Sequence, residues 1–175
     1  MTSSSQPTAA IRPFQPGDLN HLLPLNTAAV PAVNELTAEE MLDLINQALI
    51  CLVAEVDGTP AGFLLCIGDG TDYSSLNYKW LSEKVSNFAY TDRICVDESR
   101  RGLKIGEKLY RALFEHFEDT GRSFVCEVNS RPPNPGSLRF HQRLGFEEIG
   151  TADHGEKAVV FLRKPPATAN AGAAE

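Results

Sequence analysis

Two short stretches hold the residues best placed to do chemistry: Arg100-Arg101-Gly102-Leu103-Lys104-Ile105-Gly106, and the segment from Asn134 to Phe146. The first sets three cations around a glycine turn. An apolar run ending in Ile94-Cys95-Val96 precedes it, and Ile105, Leu109, Ala112, Leu113 and Phe117 follow on one helical face. A strand, a glycine turn and a helix in that order aim backbone N–H groups and the positive end of a helix dipole at an anion. The chemistry implied is retention of a phosphorylated ligand. Taken alone, the turn also fits a tight strand-to-helix connection with solvated arginines. It is neither a GxxxxGK[ST] loop nor a GxGxxG fingerprint.

The elements that must position these residues can be read from spacing. Ala9 to Phe14 predicts a first strand, turned by Pro16-Gly17-Asp18, with Asp18 capping a helix that carries Leu19, Leu22 and Leu23 inward. Thr37-Ala38-Glu39-Glu40 is a capping box ahead of a stripe of Met41, Leu42, Ile45, Ala48 and Leu49. Residues 50–56 and 60–68 read as strands about an Asp57-Gly58 hairpin turn. Residues 69–87 read as a long loop with a short helix near Tyr78 to Lys84, either functional or a packed surface loop. Strands follow at 88–96 and 123–128, a helix lies between them, and a second, short helix spans Ser137 to Leu144. A hairpin of 147–151 and 158–163 ends the pattern. Along 88–96, alternation puts Phe88, Tyr90, Asp92, Ile94 and Val96 on one face.

Composition narrows the partners. The chain has 175 residues, 42% of them hydrophobic, which suits one domain over residues 9–164. The ends, 1–8 and 165–175, are expected to be disordered. The net charge of -7 shows no basic face for nucleic acid, and the cations near 100–104 and 139–143 suit one small polyanion better than a duplex. Cys51, Cys66, Cys95 and Cys126 sit singly in apolar runs and form no CxxC unit, which favours a reducing cytoplasm. His21, His116, His141 and His154 lack metal-ligand spacing, so no metal is expected. No stretch reads as a signal peptide or approaches the ~20 apolar residues of a membrane span.

The segment Asn134-Pro135-Gly136-Ser137-Leu138-Arg139-Phe140-His141-Gln142-Arg143-Leu144-Gly145-Phe146 resembles the C-terminal motif of the GNAT acyltransferases, N-x-x-A-x-x-x-Y-x-x-x-G-F. Asn134, Ser137, His141, Gly145 and Phe146 take its positions. Arg101 to Gly106 resembles the same family's acetyl-CoA motif, R/Q-x-x-G-x-G/A, with Lys104 where the middle glycine often sits. Ile11-Arg12-Pro13-Phe14 with Asp18 looks like the family's first strand and turn. The three matches fall in family order over residues 9–163.

The resemblance implies an α/β (α+β) fold: a mixed, mostly antiparallel sheet of about seven strands, with a central parallel, splayed pair and about four helices. It implies an acetyl-CoA-dependent N-acetyltransferase acting on a primary amine of a small molecule by direct attack. Alternatives are an acyl-CoA sensor without turnover, acetylation of a protein or peptide amine, and an unrelated nucleotide-phosphate enzyme. A homodimer is a family tendency. The coenzyme A pyrophosphate falls to Arg100, Arg101, Gly102, Leu103, Lys104, Ile105 and Gly106, with Arg139 and Ser137 nearby, and the pantetheine arm to Ile94, Cys95, Val96 and Asn134. Asp92 is the candidate base, with a salt bridge to an arginine as its plain alternative; Tyr90 lies beside it and Glu127 is the weaker second choice. His141 replaces the usual tyrosine, as acid for the thiolate, as hydrogen-bond partner of the sulfur, or as packing. Asn26, Asn34, Glu35, Asp72, Tyr73, Tyr78 and Trp80 are candidates for the amine pocket, where acids beside aromatics suit a cation.

Overall fold

The computed structural model describes residues 7–166. The ends expected to be disordered fall for the most part outside them. One seven-stranded sheet runs in the order β1 (Ala9–Pro13), β2 (Ile50–Val56), β3 (Thr59–Gly68), β4 (Phe88–Val96), β5 (Ser123–Arg131), β7 (Ala158–Lys164) and β6 (Glu147–Asp153). The helices are α1 (Leu19–Ala28), α2 (Ala38–Gln47), α3 (Leu76–Lys84), α4 (Ile105–His116) and α5 (Pro135–Arg143), one more than the resemblance implies. The described residues divide into two compact units: 7–65 with Arg93–Leu113, and Cys66–Asp92 with 114–166.

In the first unit β1 and β2 pair antiparallel, from Ala9 opposite Val56 to Pro13 opposite Leu52. Thr37 caps α2 as expected: its Oγ1 accepts from the Glu40 N–H at 3.1 Å, and the Glu40 carboxylate accepts from the Thr37 N–H at 3.0 Å. The inward stripe of α2 is Met41 and Leu44, with Ile45 and Ala48 beside them. Leu42 and Leu49, expected inward, are exposed: Leu44, three residues after Met41, takes the inward side in place of Leu42, and α2 ends at Gln47, before Leu49. Asp18 does not cap α1 with its side chain. Its carboxylate takes both Arg12 Nη groups, at 2.8 and 2.9 Å, and the Gln15 N–H at 2.8 Å. Arg12 holds the buried Asp18 carboxyl below the usual range, against the opposing effect of burial.

In the second unit β4 and β5 pair parallel at Phe88–Ser123, Ala89–Phe124 and Tyr90–Val125. Both strands run on beyond those pairs. This is the expected parallel pair. β7 joins β5 antiparallel, and β6 joins β7, with register shifts at Asn129/Arg131 and at Glu148/Gly150. The second shift has a packing reason. The Trp80 ring stacks on Phe161 at 3.9 Å and 4°, and a Cβ on Gly150 would meet Trp80 Cη2 at 2.5 Å. Only glycine lets α3 lie this close to the sheet. Tyr78 anchors the same helix: its hydroxyl donates to the Gly68 carbonyl at 2.6 Å and accepts from the Thr71 N–H at 3.0 Å.

Candidate active site

The parallel ladder fixes which side chains meet. Tyr90 pairs with Val125, so Asp92 and Glu127 stand two residues further along their strands on the same face. They sit where the pairing has ended. Tyr73, from the loop ahead of α3, donates its hydroxyl to Asp92 Oδ1 at 2.5 Å. Tyr90 donates to both carboxylate oxygens of Glu127, each at 2.8 Å. Asn77, on the first turn of α3, donates from Nδ2 to Glu127 Oε1 at 3.2 Å. Two carboxylates, each held by a tyrosine, thus form the polar centre of this unit.

The electrostatics separate the members. Burial raises the Glu127 carboxyl to about 7, Asp92 adds to the rise, and the Tyr90 and Asn77 donors restrain it. Burial and the neighbouring Glu127 push the Tyr90 hydroxyl well above its ordinary value, so it remains a donor. Glu127 is therefore divided between its two protonation states near neutral pH, the condition that suits a group exchanging a proton with an amine.

The glycine turn belongs to the first unit. Asp97 opens it, accepting from the Ser99 N–H at 2.9 Å and the Ser99 hydroxyl at 2.8 Å. A short 3-10 turn over Glu98–Arg100 follows, then Gly102 at φ 97° and Lys104 at φ 56°. Lys104 occupies the left-handed region that a glycine would take without strain. The physical demand at this position is thus a backbone conformation, met here by a cation. α4 begins at Ile105, so the N–H groups of its first turn point along the helix axis toward the glycine turn. Gly62 seats this end: a Cβ there would lie 2.9 Å from Ile105 Cγ2 and 3.1 Å from the Cys95 carbonyl. Cys95 is buried, while Ile94 and Val96 are partly exposed. Arg101 and Lys104 are exposed and Arg100 half-buried. The Arg101–Glu98 pair at 3.4 Å is a surface contact of little energetic weight.

α5 belongs to the second unit. Asn134 caps it, its Oδ1 accepting from the Ser137 N–H at 3.3 Å, so the group it can offer a ligand is Nδ2–H. Arg139 is exposed. His141 is buried against Phe140 and Phe146. Its Nδ1 lies 2.8 Å from the Ser137 carbonyl, which can only accept, so Nδ1 carries the proton. Burial lowers its pKa. The neutral ring then presents Nε2 without a proton.

The acceptor candidates divide. Tyr73 joins the carboxylates. Asn26 does not: it is fully buried, and its Oδ1 accepts from Arg93 Nη1 at 2.8 Å while its Nδ2 donates to the Asn34 carbonyl at 3.0 Å. The Asn34 Oδ1 accepts from Arg93 Nη2 at 2.8 Å. These two asparagines tie the segment after α1 to the buried Arg93. Tyr78 and Trp80 anchor α3, as described above. Glu35 and Asp72 are exposed. Asn77 and Gly62 escaped the sequence reading. Gly62 had a signal, a lone glycine inside a strand pattern; Asn77 had none.

All four cysteines are buried thiols, and burial raises Cys51 to about 12. Among the described residues no cluster of three or more His, Cys, Asp or Glu could hold a metal. No described helix is long and apolar enough to cross a membrane.

The model of the acetyltransferase (GNAT) family matches residues 20–146. The chain belongs to this family. An uncharacterized N-acetyltransferase of Methanocaldococcus jannaschii is 34% identical over 97 residues, 55% of this chain and 38% of that protein. The aminoglycoside N(6')-acetyltransferase type 1 of Klebsiella pneumoniae is 23% identical over 122 residues, 68% of this chain and 58% of that protein. The chain thus spans less than two thirds of the length of these relatives. A Salmonella typhimurium acetyltransferase solved with its cofactor acetyl-CoA superposes with a TM-score of 0.69 at 18% identity, covering 94% of this chain and 97% of that one. At that identity the likeness is one of fold, and it agrees with the mixed sheet and its parallel pair.

Proposed function

We propose that residues 9–164 form one acyltransferase domain that moves an acetyl group from acetyl-CoA to a primary amine of a small, cationic acceptor by direct attack. The observation that carries this reading is the pair of carboxylates, Asp92 with Tyr73 and Glu127 with Tyr90, just past the last rung of the parallel ladder. Two acids among tyrosine rings attract an ammonium group, and the relative that modifies an aminoglycoside acts on an acceptor of that kind.

The glycine turn fits coenzyme A. Its exposed cations and the first-turn N–H groups of α4 suit a pyrophosphate, and the close seating of Gly62 keeps that helix end in place. In this reading Arg100 to Gly106 hold the pyrophosphate, the backbone of Ile94 to Val96 takes the pantetheine arm, and Asn134 Nδ2 donates to the arm. Bound acetyl-CoA supplies an activated thioester. The ammonium form of the acceptor must lose a proton before it can attack. Glu127 takes that proton, since its carboxyl titrates near 7 and Tyr90 fixes its orientation. Asp92, braced by Tyr73, attracts and orients the cation. This reverses the order the sequence suggested for the two acids. The C–S bond breaks as the C–N bond forms, and the coenzyme A thiolate takes up, through solvent, the second proton that the attacking nitrogen loses. His141 is an inefficient acid for that thiolate, because its Nε2 would need a proton that burial opposes. It serves instead to pack α5 against Phe146.

The test is thiol release from acetyl-CoA across neutral amines, diamines, polyamines and aminoglycosides. Faster turnover with the multiply charged amines supports the proposal. Tight coenzyme A binding with no turnover on any amine would replace it with a sensor.

A further inference from the structure

Beyond the two carboxylates, one hydrogen-bonded chain leads from the acid centre to the surface. Asn77 donates from Nδ2 to Glu127, and its Oδ1 lies 2.9 Å from Nε2 of His154. An ionised carboxylate only accepts, so the Asn77 amide must turn its N–H to Glu127 and its oxygen to His154. His154 Nε2 is therefore the donor, and it donates in the neutral Nε2–H form and in the cation alike. His154 stands 77 residues from Asn77 on the turn between β6 and β7. That turn is braced. Arg131, at the end of β5, donates from Nη2 to Asp153 Oδ1 at 2.5 Å and to the Gly155 carbonyl at 2.6 Å. The Gly155 N–H donates to the same carboxylate oxygen at 2.9 Å, and the His154 N–H to the Lys157 carbonyl at 2.7 Å.

We infer that His154 is a positioning residue for Glu127, acting by holding the Asn77 amide with its N–H toward the carboxylate. The role assigned to His154 in catalysis rests on the proposal that Glu127 is the base; the geometry of the lock does not. An unheld amide has two orientations of similar shape. One donates to Glu127 and favours its ionised form. The other presents an oxygen to the carboxylate and disfavours it. Capture of Oδ1 by His154 selects the first. Tyr90 and Asp92 from β4 also act on Glu127, with Tyr73 acting through Asp92, and a backbone hydrogen bond at Glu127 itself favours the ionised form. His154 itself has Asp153 beside it on the turn, clamped by Arg131.

The experiment is a carboxyl 13C NMR titration of Glu127 in the whole protein without substrate, with the signal assigned by its loss in Glu127→Gln. The wild-type midpoint is expected near 7. His154→Ala should raise it by roughly half a unit to one unit, the range for a weakened hydrogen bond to a charged group. His154→Gln, whose amide N–H can stand in for Nε2–H, should restore it. His154→Asn, too short to reach, should behave as alanine. Asn77→Ala should raise the midpoint as well, and adding His154→Ala to it should do nothing more. His154 is exposed, so these changes leave the core intact. An unchanged midpoint in His154→Ala, or an additive shift in the double variant, would overturn the inference. The pH profile of acetyl transfer in the same variants is read separately. If the NMR midpoint moves and the profile does not, the positioning stands and Glu127 is not the base.

Discussion

Replacing Glu127 by glutamine keeps the shape of the side chain and an oxygen for the Tyr90 hydroxyl, and it removes the titration. In the folded protein this carboxyl titrates near 7, against an ordinary value of 4.5. A carboxyl raised on folding contributes stability that is full below its unfolded pKa and is lost as the pH rises through its folded pKa. The window is therefore pH 4.5 to 7. Between pH 5 and pH 8 the wild-type protein should lose about 2 to 3 kcal/mol of stability from this one group, by proton linkage. Glu127→Gln has no such loss. The stability difference, variant minus wild type, should therefore become more positive by about 2 to 3 kcal/mol from pH 5 to pH 8. Taking the difference cancels groups common to both proteins, including His141, whose lowered pKa acts in the opposite sense. Urea denaturation of both proteins at the two pH values gives the number. A difference that stays constant with pH would refute the burial argument and, with it, the reason for preferring Glu127 over Asp92.

Three further outcomes are expected. Gly62→Ala drives a methyl group against Ile105 Cγ2 and the Cys95 carbonyl; it should weaken coenzyme A binding several-fold by calorimetry and cost about 1 to 3 kcal/mol of stability, with the KM for the amine unchanged. Lys104→Val places a β-branched residue at φ 56° and should destabilise by about 1 to 2 kcal/mol, whereas Lys104→Gly should be neutral within about 1 kcal/mol because relieved strain offsets chain entropy; denaturant melts separate the two. The His141 ring protons should titrate by NMR with a midpoint below the ordinary 6.5, set by burial.

The strands and helices were legible wherever a periodicity or a turn residue marked them. Asp57-Gly58 turns through two positive φ angles, as a tight hairpin requires, and the Thr37 box caps its helix. Structure and sequence pattern part where a side chain has two possible uses. Asp18 read as a helix cap because its position fits one, but Arg12, six residues earlier, claims its carboxylate. Asn26 and Asn34 read as pocket residues because asparagine in a loop is polar and available. Spacing cannot show that Arg93, 67 and 59 residues away, folds back onto them. Among the candidate residues, alternation puts Tyr90 and Asp92 on one face of their strand, and the family resemblance singles them out there. The preference between Asp92 and Glu127 was not legible, since the raised carboxyl depends on burial that only the packed structure supplies. Asn77 and His154 join the centre through contacts 50 and 77 residues long in sequence, and no local pattern encodes them.

The proposed transfer of an acetyl group from acetyl-CoA to a cationic amine can be read by mass spectrometry of one reaction mixture containing the protein, acetyl-CoA and a polyamine at pH 8. Acetylated polyamine should form in equal amount to the free coenzyme A released, and both should be lost in the Glu127→Gln protein at unchanged coenzyme A affinity. Coenzyme A released by hydrolysis alone, with the amine unmodified, would contradict it.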